Sequence, residues 1–196
     1  MVSNVYINEV MNNFEGFKGV FSCDAIKNEK IFSDKYIYPE FVFFNTSLKS
    51  SNKVGHWILL LKYECKYDRY LELFDSLCTP FNNLSLYIRN FIQNTIHDRF
   101  ILSPRIIQHP NSNFCGFYCI ARALSIIQNI SQFNFYDDFS YEIKLNDSLV
   151  IRYIRDLCNR WSNQSSIMLH RKSLLYGGST SGVVYGNGRP IRYCII

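Results

Sequence analysis

The chain has 196 residues and a mass of 23.1 kDa, with 47% hydrophobic residues, 19% charged residues and a net charge of +5. That size suits one compact domain with a short appendage, and that composition excludes an intrinsically disordered chain. The longest apolar run, Trp57–Leu61, is far short of the ~20 residues a spanning helix needs, and the opening MVSNVYINEVMNNFEGFK lacks the basic start and apolar stretch of a signal peptide.

In chain order, Val5, Ile7, Val10, Met11 and Phe14 recur at near-helical spacing, which predicts a short helix over 4–14. Gly16 and Gly19 punctuate a strand near Phe17–Cys23, and Glu40–Asn45 is a second strand rich in aromatic residues and valine. His56–Tyr63 is almost continuously apolar, as in a strand buried on both faces, and Arg69–Asp75 alternates as the strand beside it. Leu84, Ile88, Phe91 and Ile92 give Asn83–His97 an apolar helical face. Phe100–Gln108 reads as a strand that Pro104 confines to an edge or a bulge. Cys115–Ile130 predicts a long apolar helix, and Asn146–Trp161 a last one capped by Asn146 or Asp147. The expected class is α+β: a central mixed sheet flanked by helices.

Five of the nine glycines fall in the last 20 residues, so the division expected is a domain over 1–173 and an extended tail over 174–196. Seven cysteines, odd in number, scattered and without a C-x-x-C pair, suggest neither a disulfide framework nor a zinc site. They fit a reducing, intracellular setting and raise the question of whether one thiol is a nucleophile. The positive charge permits non-specific binding to DNA or another polyanion, and serves equally to keep an aromatic-rich chain soluble.

Three segments carry candidate chemistry: Gly55-His56-Trp57, Leu73-Phe74-Asp75-Ser76, and Gln108-His109-Pro110-Asn111-Ser112-Asn113-Phe114-Cys115-Gly116. Each alone has a bland reading, as a structural histidine, a turn aspartate or a core cysteine. Together they meet the needs of a thiol nucleophile. A cysteine ionises more readily at a helix N-terminus or beside a histidinium, and Cys115 opens the predicted apolar helix. His56 starts one strand and Asp75 ends the next, so antiparallel pairing would set the carboxylate beside the imidazole. The Gln108 amide and the Cys115 N–H would supply an oxyanion hole. Gly116 would let a substrate backbone approach closely. Trp57 would shield the imidazole and line the cleft, or pack in the core. His109 is the competing base; His97 and His170 read as surface residues.

The order His56, Asp75, Gln108, Cys115 resembles the adenain-type maturation proteases of adenoviruses and their relatives, the SUMO-specific ubiquitin-like-protein proteases. The stretch Gln108–Gly116, continued by Phe117-Tyr118-Cys119, carries the resemblance, which spans residues 14–130. Adenain has Glu as the third member, whereas this chain has Asp75, as the SUMO proteases do. The resemblance implies a papain-like, adenain-like fold and a thioester mechanism: Cys115 attacks, His56 moves the proton, Asp75 orients His56, and Gln108 stabilises the oxyanion. It implies cleavage of capsid precursors at Gly-containing sites in the virion or infected cell, by a monomer without a metal. Virophages and Polinton-type elements fit the residue bias. The alternative is a pathogen deconjugase of SUMO- or ubiquitin-like modifiers; a non-enzymatic scaffold that keeps the fold is the third reading.

Such proteases take a large apolar residue, any residue, then Gly-Gly, or Gly-x before Gly. The tail holds Leu175-Tyr176-Gly177-Gly178-Ser179 and Val184-Tyr185-Gly186-Asn187-Gly188, and ends on a basic segment with Cys194. It is expected to be a self-processing segment, an activating peptide acting in cis or trans, or a linker with a peptide.

Overall fold

The structure is a computed structural model that describes residues 2–26, 31–34, 39–51, 55–65 and 67–175, with side chains described as far as Arg160. Its centre is a five-stranded mixed sheet in sequential order, β1 (Phe17–Ser22), β2 (Glu40–Asn45), β3 (Trp57–Cys65), β4 (Asp68–Phe74) and β5 (Arg99–Leu102). The pairs β2/β3 and β3/β4 are antiparallel; the outer pairs β1/β2 and β4/β5 are parallel.

Side chains alternate across each strand, so continuously apolar strands serve two cores. Phe41, Phe43, Leu59, Leu61 and Phe74 face one layer, formed by α1 (Asn4–Met11), α3 (Cys115–Ile127), α4 (Gln132–Asp137) and α5 (Asn146–Leu175). Val42, Phe44, Ile58, Leu60, Leu71 and Leu73 face the other, where α2 (Leu86–Asn94) contributes Ile88 and Ile92. This three-layer α+β arrangement matches the expected class.

Boundaries differ from expectation in informative ways. α2 is shorter than 83–97 because Ser85 accepts the Ile88 N–H as its N-cap, and a 3-10 turn over Phe81–Asn83 precedes it. β5 stops at Leu102, ahead of Pro104, and occupies the sheet edge. α4 has no counterpart in the sequence reading; Ser131 caps it by accepting the Asn134 N–H. α5 runs beyond Trp161 to Leu175, so Leu174 and Leu175 belong to the helix. Gly177, Gly178, Cys194 and the rest of 176–196 lie outside the described residues. Among the described residues no helix is long and apolar enough to cross a membrane.

Candidate active site

β3 and β4 pair with Leu59 opposite Phe74, which carries the chain just before β3 and just after β4 to the same end of the sheet. His56 and Asp75 meet there, with His56 Nε2 at 2.6 Å from Asp75 Oδ1. The imidazole is anchored from behind: the His56 N–H donates to Thr46 Oγ1 at 2.9 Å, and the Thr46 N–H returns a bond to the His56 carbonyl at 2.8 Å. Gly55 explains itself at this point. A Cβ there would stand 1.7 Å from Asn45 Oδ1 and 2.6 Å from Ser47 Oγ, so any larger residue would push these side chains aside.

Asp75 is buried and its carboxylate is fully engaged. Oδ1 also accepts the Leu77 N–H at 2.8 Å, Oδ2 accepts the Thr79 N–H at 3.1 Å, and the Asp75 N–H donates to Ser103 Oγ at 2.8 Å. Burial opposes its charge, but the bonds from His56, Thr79 and Leu77 outweigh burial and hold the carboxyl below its ordinary value. Burial likewise opposes protonation of His56. The hydrogen bonds and charges of Asp75 and Cys115 reverse that effect and push the imidazole up to about 9. Nε2 is the ring nitrogen committed to Asp75, which leaves Nδ1 on the opposite edge of the ring.

Cys115 is the first residue of α3, where backbone N–H groups have no acceptor within the helix. The turn before it is built from its own side chains: the Ser112 hydroxyl accepts the Phe114 N–H at 3.1 Å, and the Ser112 N–H donates to the His109 carbonyl at 2.9 Å. Gln108 is buried beneath this turn; its Nε2 donates to the Ser112 carbonyl at 2.8 Å, and its Oε1 accepts the Ser76 hydroxyl at 2.6 Å. His109 points away from this constellation: its Nδ1 accepts the Asn111 N–H at 3.3 Å. His97 Nδ1 lies 2.6 Å from the Thr95 carbonyl, and the His170 side chain is outside the described residues.

Trp57 and Gly116 take roles that differ in part from those expected. Trp57 is buried, and its indole N–H donates to the Val2 carbonyl at 2.9 Å. A Cβ on Gly116 would approach Val2 Cβ to 2.8 Å and Trp57 Cδ1 to 3.2 Å. The space that glycine opens beside Cys115 is thus filled by Val2 and Trp57. Cys115 itself is 2% exposed, and the His56 side chain 19%. Val2 carried no sequence signal, since its role depends on where α1 delivers the residues ahead of it.

Among the described residues no group of three or more His, Cys, Asp or Glu side chains is placed to hold a metal ion. Compared with known proteins, the chain matches no family model, and no curated protein is significantly similar to it. The chemistry of the site therefore stands on its own geometry: an imidazole clamped by a buried carboxylate, a thiol at a helix start, and a glutamine amide beneath the turn that leads into that helix.

Proposed function

We propose that the chain is a cysteine endopeptidase with a papain-like, adenain-like fold, in which Cys115 is the nucleophile and His56 its proton carrier. The observation that carries this reading is His56 held by the buried Asp75 at 2.6 Å, with Cys115 as the first residue of α3. A thiol becomes a strong nucleophile when a neighbouring imidazole takes its proton.

In the reaction, Cys115 Sγ forms a bond to the scissile carbonyl carbon while the carbonyl π pair moves onto oxygen. The Cys115 N–H and a Gln108 N–H receive that oxyanion; removal of one such donor typically costs about 2.7–4 kcal/mol. Collapse expels the amine, which takes its proton from His56, and leaves a thioester. Water then attacks the thioester, gives one proton to His56, and collapse releases the thiolate and a carboxylic acid that loses its remaining proton to solvent. With Cys115 at 2% exposure, a peptide reaches the sulfur only as neighbouring side chains give way, and Val2, packed on the adjacent Gly116, is the candidate tested below.

The substrates proposed are capsid precursors cut at Leu-x-Gly-Gly-x or Gly-x-Gly sites during virion maturation, because small residues before the cut ask for the least displacement of the side chains that bury Cys115. The tail sites at Gly177-Gly178 and Gly186 suit the same preference. Cleavage of a modifier ending in Gly-Gly is the second reading, favoured by an aspartate rather than a glutamate at position 75.

A Leu-x-Gly-Gly-x peptide panel set against a Gly-Gly-ended modifier conjugate separates the two. Peptide cleavage by wild type and none by Cys115→Ala is the expected result; cleavage that survives Cys115→Ala rejects the assignment. Incubation of wild type and Cys115→Ala followed by intact mass measurement tests self-processing, which is excluded if both masses stay unchanged.

A further inference from the structure

A glutamine amide has an acceptor end and a donor end of the same shape, so its neighbours decide which end faces a reaction centre. We infer that Ser76 is the positioning residue that holds Gln108 as a donor toward the nucleophile turn, an inference that rests on the protease reading above.

Four contacts join the two residues and their surroundings. The Ser76 hydroxyl donates to Gln108 Oε1 at 2.6 Å, and Gln108 Nε2 donates to the Ser112 carbonyl at 2.8 Å. The Ser76 carbonyl accepts the N–H groups of both Ile107 and Gln108, at 3.0 and 3.1 Å. Both side chains are buried, at 0% and 1% exposure. The Ser112 carbonyl can only accept, so a reversed amide would press oxygen against oxygen there. Ser76 supplies the complementary grip, a donor for an Oε1 that would otherwise be buried and unpaired.

With Oε1 tied down and one N–H spent on Ser112, the second N–H has a fixed direction. Because Asp75 and Ser76 are consecutive, one turn after β4 serves both halves of the chemistry. Asp75 reaches His56, and Ser76 reaches the oxyanion donor. Without the hydroxyl, Oε1 seeks another donor and the amide tilts out of register, and a displacement of ~1 Å can cost 10²-fold in rate.

The test compares the wild-type chain, Ser76→Ala, Gln108→Ala and the double variant in two assays. Peptide cleavage passes through an oxyanion; alkylation of Cys115 by iodoacetamide needs the thiolate but forms none. Ser76→Ala should lower kcat by about 10- to 100-fold with KM little changed, and keep the Cys115 alkylation rate within about twofold. Adding Ser76→Ala to Gln108→Ala should cost little more, since both act through one group. Ser76→Cys, which keeps the size and a weak donor, covers the case in which Ser76→Ala does not fold, and should fall between wild type and Gln108→Ala. Unchanged kcat, an equal fall in alkylation, or full additivity with Gln108→Ala overturns the inference while leaving an active protease. A wild-type chain that cleaves no peptide overturns the protease reading, and this inference with it.

Discussion

At the scale of single residues, His56 sets the pH behaviour. Its protonated form persists to about 9 because Asp75 and Cys115 outweigh the cost of burial. Under the proposed mechanism, protonation of the leaving amine fails as the imidazole loses its proton, so the alkaline limb of kcat/KM should fall with an apparent value near 9. In Asp75→Asn the largest stabilising partner is lost and burial remains, so that limb should move down toward neutrality; a limb that stays put would show that Asp75 does not tune the ring. The same pair links to folding. A raised imidazole stabilises fully below its ordinary value of about 6.5 and loses that effect as pH climbs toward 9. A lowered carboxyl stabilises above its ordinary value of about 3.9 and loses the effect as pH falls through its folded value. Urea midpoints should therefore be higher at pH 6 than at pH 9.5, by a margin that narrows in Asp75→Asn. The pairing of His56 with Asp75 was legible from two strand ends. The Ser76 contact to Gln108 was not, because a buried hydrogen bond between distant loops leaves no periodicity.

At the scale of elements, α3 must sit correctly on the sheet for its first residue to meet His56. Arg122 fixes it there. Its guanidinium, fully buried, forms a two-point pair with Glu72 of β4 at 2.8 and 2.7 Å and also donates to Ser125 Oγ and the Ile130 carbonyl. Tyr63 and Gln132 add bonds to the same carboxylate. Removing one partner of such a pair leaves an uncompensated buried charge, so Arg122→Ala should lose about 3–5 kcal/mol of stability in chemical denaturation, with Glu72→Ala comparable. A loss below about 1 kcal/mol would mean water enters to solvate the remaining charge. The apolar spacing of α3 announced a buried helix and hid the arginine inside it, since the partner lies on a strand fifty residues earlier. α4 escaped for a related reason: six residues are too few to show a period, and its Phe135 and Tyr136 acquire meaning only against Phe74.

At the scale of the whole molecule, the order of strands along the chain is also their order in space, so local pairing assembles most of the sheet. That is why strand patterning alone located the five strands and marked His56–Tyr63 as buried on both faces. What it could not supply is the return of the N-terminal segment to the site, where Val2 lies on Gly116 and takes the Trp57 hydrogen bond. Val2→Gly removes that side chain and should speed alkylation of Cys115 several-fold; an unchanged rate would show that access is limited elsewhere.

The most direct measurement is competitive alkylation of the native chain at a pH near 6, read cysteine by cysteine by peptide mapping. Cys115 should be modified well ahead of Cys23, Cys65, Cys78 and Cys119, including the exposed Cys65, and should lose that lead in His56→Ala. Labelling led by Cys65, with Cys115 inert in wild type and variant alike, would contradict a nucleophile at the start of α3.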